Sequence, residues 1–283
     1  MAEGLFEGSK IFIGVLHLPP LPGSPRWAGD MAKLLSQATV EASKLIDGNV
    51  DGIIIENFGD APFRIGQVEP ETVATMTLVV HTLKQITDLP IGINMLRNDA
   101  HSALAIATAT NSAFIRVNVH YGVMAADEGI VEGQAFDTLR KRRLLGSDVK
   151  IIADILVKHA VPIGPSDLGL VAKETLNRGL ADGLIVSGPV TGIETDVADV
   201  EQVRHATPDD LLLIGSGANP DNVQQLLKYA DGAIVGTWLK EQGIINQPIK
   251  KDIPTFIREI PTARANAASD PPCITAEKRL LLN

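Results

Sequence analysis

Short apolar, β-branched runs recur eight times along the chain, at residues 11–18, 52–57, 91–96, 114–119, 150–156, 183–187, 211–217 and 232–237. Each ends at or beside a polar residue or a glycine, and their starts lie 41, 39, 23, 36, 33, 28 and 21 residues apart. Strands of a parallel sheet are covered on both faces, so they read as continuous apolar runs and not as alternating ones. Between the runs, helical patterns are predicted at 30–45, 71–86, 99–108, 134–145, 167–177, 197–205 and 220–229. Two of these carry start signals: Ser166 before Asp167, and Asn219 before Pro220, where proline at a first helical position loses no hydrogen bond.

Eight strand-helix units predict a closed (β/α)8 barrel, the TIM barrel of the α/β class. A doubly wound sheet usually has fewer strands, and 283 residues is near the size of about 250 typical of one barrel. Residues 1–266 are read as the barrel. Residues 267–283, which include Ala-Ser-Asp-Pro-Pro, are read as a tail with a short helix at 277–282.

Composition fits one soluble domain with a large core: 45% of residues are hydrophobic and 21% charged. No run reaches the roughly 18 apolar residues of a membrane span, and the opening MAEGLFEGSKIFIG lacks the basic start of a secretory signal. The single cysteine, Cys273, has no internal partner and suits a reducing compartment. A net charge of −9 argues against nucleic acid as a partner, which would require a basic footprint. The run Arg140-Lys141-Arg142-Arg143 stands out against that balance. A solvated helix face accounts for it, with an anionic membrane surface or acidic protein as the sharper alternative.

Chemistry in this fold gathers at the carboxyl ends of the strands. There the sequence places His17, Glu56, Asn57, Asn94, Asn118, His120, Asp154, Lys158 and Ser187. The asparagines, with Asp60 and Asp99, also suit capping and turn roles. Glu56 and Asp154 are harder to explain that way, because a carboxylate ending an apolar strand is desolvated unless it meets a partner, for which Lys158 or a histidine is available. Glu56, Asp154, Lys158 and His17 are therefore the candidate catalytic groups, with Asn57, Asn94, Asn118, His120 and Ser187 as ligand contacts. A partly exposed ion-pair lysine is commoner than a Schiff-base lysine at a position such as Lys158. No short ligand motif supports a metal, and no cofactor is identified.

Glycines close the last two strands, in Gly215-Ser216-Gly217 and Gly236-Thr237. They allow backbone N–H groups to approach an anion, and the loops after strands seven and eight are where this fold often builds a phosphate site. Ser216, Gly217, Gly236 and Thr237, with a helix start at 238–240, are expected to hold a small phosphorylated molecule or a cofactor with one phosphate.

Several strand ends lie within longer motifs: GVLHLPPLPGSPR at 14–26, DGIIIENFGDAPF at 51–63, GINMLRND at 92–99, FIRVNVH at 114–120, Ala153-Asp154 with Val157-Lys158-His159, and the two glycine segments. Together they resemble the BtpA family over about residues 10 to 240. The resemblance implies a (β/α)8 protein held as an extrinsic protein on the cytoplasmic side of the thylakoid membrane. It also implies a role in stable accumulation of photosystem I reaction-centre proteins and, for members outside photosynthesis, enzymes acting on sugars or phosphates. Association into a homo-oligomer through outer helices is a further expectation.

Overall fold

The computed structural model describes residue 5 and residues 10–188, 190–244, 247–250 and 253. The tail expected at 267–283, its short helix and Cys273 lie outside the described residues. All eight predicted strands form, and they close into one parallel barrel. In chain order they are β1 Ile11–His17, β2 Gly52–Glu56, β3 Ile91–Asn94, β4 Phe114–Val117, β7 Lys150–Ile155, β9 Gly183–Val186, β10 Leu212–Ile214 and β11 Gly232–Val235. The closing pair is β1 with β11, in register from Ile11 opposite Gly232.

Three short strands are additional: β5 Val123–Ala126, β6 Gly129–Glu132 and β8 Ala160–Pro162. They form a separate antiparallel sheet in the order β6-β5-β8, above the fourth and fifth barrel strands. Val119, Met124, Val131 and Val157 make its small core. Periodicity misses these strands because four-residue segments such as GIVE and VMAA carry too little pattern.

The helices are α1 Met31–Asp47, α2 Pro70–Leu83, α3 Ala100–Ala109, α4 Ala135–Leu144, α5 Leu168–Asn177, α6 Val197–Ala206 and α7 Val223–Leu226. Asp99 caps α3 by accepting from Ser102 N. Asp167 itself, not Ser166, caps α5 through Leu170 N. The predicted 220–229 helix shortens to one turn that starts after Asn222, because Asn219 Oδ1 accepts from Asp221 N and Asn222 N and holds the chain in a turn across Pro220. The segment expected at 238–240 is a three-residue 3-10 turn, Thr237–Leu239, too short to present a helix terminus to an anion.

Strand side chains alternate between two destinations. One set faces the helices and joins the large outer core, for example Phe12, Leu16, Ile53, Ile55, Ile115 and Leu212. The other fills the barrel interior with Val15, Ile54, Phe114, Ile152, Ile185, Leu213 and Ile234, Phe114 occupying the space left by Gly92. Two residues further along each strand, on the same inward face, stand His17, Glu56, Arg116, Asp154, Ser187, Gly215 and Gly236, with Asn94 following Gly92. The mouth is thus the next layer of the same packing scheme, with polar groups and glycines where methyl groups would otherwise sit.

Candidate functional site

Arg116 organises the mouth. It is buried, and its Nε and Nη2 donate to Asp154 Oδ2 and Oδ1 at 2.9 and 2.8 Å while Nη1 donates to Glu56 Oε1 at 3.3 Å. Burial alone would lower the guanidinium pKa, but the charges of Asp154 and Glu56 outweigh it and raise the pKa further. The main partner of the two strand-end carboxylates is therefore this arginine, with His17 Nε2 3.9 Å from Glu56 Oε2; Lys158 pairs with neither. The signal for it was present: a charge inside the run FIRV demands a partner by the same desolvation argument that singles out Glu56.

Two asparagines complete the cluster. Asn94 Nδ2 donates to Glu56 Oε1 at 3.1 Å, and Asn118 Nδ2 donates to Asp154 Oδ2 at 2.9 Å. A carboxylate only accepts, so these bonds fix which way each amide is turned. The opposite oxygens, Asn94 Oδ1 and Asn118 Oδ1, have no partner among the described residues. Asp154 also accepts from Ser187 Oγ at 3.4 Å, and its side chain has no exposed surface. Asp154 and Ser187 thus lie behind the mouth and support it.

His17 sits with Nε2 3.9 Å from Glu56 Oε2 and its ring edge-on to Phe58, centroids 5.0 Å apart. Burial pushes it well below the usual histidine range, and the cations Lys240, Lys158 and Arg116 push it the same way. Both effects favour the neutral imidazole. Asn57 is consumed by structure: it donates to Asp60 Oδ2 and Leu96 O and accepts from Leu96 N. His120 pairs through Nε2 with Gly179 O at 2.8 Å. Neither Asn57 nor His120 lines the mouth.

The open space divides into two lobes of about 240 and 190 Å³ that share Glu56, Arg116, Lys158 and Thr191. The first is bounded by residues 215–219, Gly236, Thr237, Trp238 and, unforeseen from sequence, Thr191 and Gly192 of the loop after β9. Ser216, Gly217, Gly236 and Thr237 thus all line this one lobe. Gly217 has φ +72°, and a Cβ there would lie 2.1 Å from Ile193 O, so only glycine fits. A Cβ on Gly236 would lie 2.6 Å from His17 Cε1, which puts the imidazole directly against this loop. The second lobe is walled by Asn94, Asn118, Phe58, Phe63 and the part-buried Arg97–Glu128 pair at 3.0 Å. Among the described residues, no group of three or more His, Cys, Asp or Glu is placed to hold a metal ion.

The basic run on α4 is not one surface. Arg142 donates to Asp182 Oδ2 at 2.5 Å and to Val149 O, tying the helix to the foot of β7 and β9. Arg140 and Arg143 are exposed, beside Phe136 and Leu144, which are 76% and 71% exposed. Among the described residues no helix is long and apolar enough to cross a membrane.

The model of the BtpA family matches residues 8–260. The chain belongs to the BtpA family. It is 50% identical over 244 residues, 86% of this chain and 85% of the other, to the photosystem I biogenesis protein BtpA of Synechocystis. An uncharacterized protein of Pyrococcus furiosus is 45% identical over 85% of this chain and 90% of its own. Among solved structures, a dihydropteroate synthase from Vibrio fischeri aligns with TM-score 0.59 at 15% identity, covering 94% and 95% of the two chains. The KDPGal structure aligns with TM-score 0.55 at 14% identity over 89% and 94%. At those identities the likeness is one of fold, and it agrees with the TIM barrel described above.

Proposed function

We propose that the BtpA-family barrel mouth is an active site for a small phosphorylated molecule, with a reaction of the lyase, aldolase or isomerase type. The observation that carries this is a glycine-lined cavity after the seventh and eighth barrel strands that is also lined by Glu56, Arg116 and Lys158, residues it shares with the neighbouring second cavity. The phosphate lies against Ser216, Gly217, Gly236 and Thr237. Glu56 is the proton-exchanging group: Oε1 is held by Arg116 and Asn94, while Oε2 faces neutral His17. Arg116 and Lys158 supply positive charge to an oxygen that gains electron density in the transition state. Asp154 keeps Arg116 aimed.

The test is a thermal-shift series with inorganic phosphate and phosphorylated metabolites. A ligand at about 100 times its Kd stabilises by about 2.7 kcal/mol. Glu56→Gln is expected to abolish turnover and keep the phosphate-dependent shift, and Gly236→Trp to remove the shift. No shift with any phosphorylated compound would refute the site.

A second role is favoured by the 50% identity to the Synechocystis protein. On that reading the chain supports accumulation of photosystem I reaction-centre proteins as an extrinsic protein on the cytoplasmic face of the thylakoid, with Arg140, Lys141 and Arg143 beside Phe136 and Leu144 as the contact. High salt should release it, because exposed charge pairs are screened. Replacing those three basic residues with glutamine, and sparing the structural Arg142, should lower both membrane retention and photosystem I levels. Unchanged values of both would leave α4 as a solvated face. The two roles are compatible, and the similarity to the Pyrococcus relative favours a ligand role that does not depend on photosynthesis.

A further inference from the structure

Four residues line both lobes of the mouth, and three of them are committed. Glu56 is bound by Arg116 and Asn94, Arg116 by Asp154 and Glu56, and Thr191 by His159. The fourth, Lys158, has no hydrogen bond or ion pair among the described residues. Glu56 and Asp154 act on its charge through space, but they are held by three donors of Arg116, and the lysine forms no ion pair with either while it lines both lobes. Its backbone, by contrast, is fixed. Leu156 and His159 on either side adopt φ of 48° and 59°, Val157 is buried in the small-sheet core, and His159 Nε2 accepts from Thr191 N at 3.2 Å.

We propose that Lys158 is a nucleophile, its ε-amine adding to the carbonyl carbon of a phosphorylated aldehyde or ketone whose phosphate occupies the glycine lobe. This rests on the phosphate reading above and names the ligand's second functional group. The amine forms a C–N bond, and the resulting carbinolamine loses its hydroxyl as water, taking up the proton that the ammonium released. Ammonium plus carbonyl gives iminium plus water, with no further reactant. Glu56, on the same cavity wall, is placed to take a proton from the carbon next to the iminium or to return one.

The amine's titration agrees with this geometry. Burial first, then the charge of Arg116, brings Lys158 down to about 8, against the pull of Glu56 and Asp154. At that pH the neutral fraction is roughly a hundredfold that of an ordinary lysine.

Pyridoxal 5′-phosphate is a suitable probe, since it carries an aldehyde and one phosphate, absorbs visibly as an imine and is trapped by borohydride. Incubation at limiting reagent, reduction and peptide mapping should find the label on Lys158 before the exposed lysines, by at least about tenfold in rate. Inorganic phosphate should slow it, and Lys158→Arg should remove the fast-forming, phosphate-protected imine while keeping the phosphate-dependent thermal shift. If phosphate stabilises the protein but Lys158 is labelled no faster than other lysines, the residue is only a charge for the phosphate and the proposal is wrong. If phosphate neither stabilises nor protects, the phosphate site itself is refuted, and the nucleophile with it.

Discussion

Arg116 spans Asp154 with two parallel hydrogen bonds of 2.8 and 2.9 Å and still reaches Glu56 with its third nitrogen. The two carboxylates therefore do different work, although sequence alone treats them alike. Asp154 is used up in orienting the guanidinium, whereas Glu56 keeps Oε2 free of it, 3.9 Å from His17.

Removing that guanidinium should be costly. Arg116→Met leaves two buried carboxylates without a counter-charge, and such losses run to about 3–5 kcal/mol. Urea denaturation should show it, and Arg116→Lys should restore only part, because an ammonium cannot make the two-pronged contact. A loss below about 1 kcal/mol would mean that water reaches the cluster.

Lys158 should show the opposite sign. Its pKa is lowered in the fold to about 8, so the unfolded chain binds more protons between that value and the ordinary lysine range. Lys158→Met is expected to be more stable than the parent at neutral pH, by roughly 1–3 kcal/mol once partial solvent access is allowed for. The difference should shrink as pH rises from about 8 to about 10.4. Equal stability across that range would show that the amine is not desolvated.

Lys240 and Glu41 form a second buried pair, at 2.6 Å, joining α1 to the turn that follows Trp238. Lys240→Met should cost about 3–5 kcal/mol, and adding Glu41→Leu should recover most of it, since no lone charge then remains buried. Added salt should barely alter the single variant's deficit. Strictly additive losses in the double variant would contradict the pairing.

Acid should weaken the fold before its carboxylates titrate. Burial lowers both His17 and His120 below the usual histidine value, cations adding to the effect at His17 and the bond to Gly179 opposing it at His120. The unfolded chain takes up these protons first, so stability is full above pH of about 6.5 and declines as pH falls below it. His120→Gln keeps a donor for Gly179 O and removes one titrating group. Its midpoint in urea should fall less steeply between about pH 7 and about pH 5; an unchanged slope would assign the acid sensitivity elsewhere.

The barrel was legible because each strand is buried on both faces and so forms an unbroken apolar run. The mouth was legible wherever a polar residue ended such a run, as at His17, Glu56, Asn94 and Ser187. Arg116 escaped because it lies inside its run, followed by Val117. Counting two residues on from each interior side chain would have found it beside Glu56 and Asp154. Burial also changes meaning: Asn57 and His120 look like ligand contacts in sequence, yet Asn57 is bonded to Leu96 backbone and Asp60, and His120 Nε2 to Gly179 O. The small antiparallel sheet was illegible because its pairing joins segments on either side of α4.

That sheet sets one wall of the mouth apart from the rest. The turn between β5 and β6 carries Asp127 and Glu128 into the second lobe, and Glu128 is anchored by Arg97. The glycine lobe belongs to strands on the opposite side of the barrel. A change in that two-residue turn outside the barrel can therefore reshape the wall of the second lobe while leaving the residues of the glycine-lined lobe untouched.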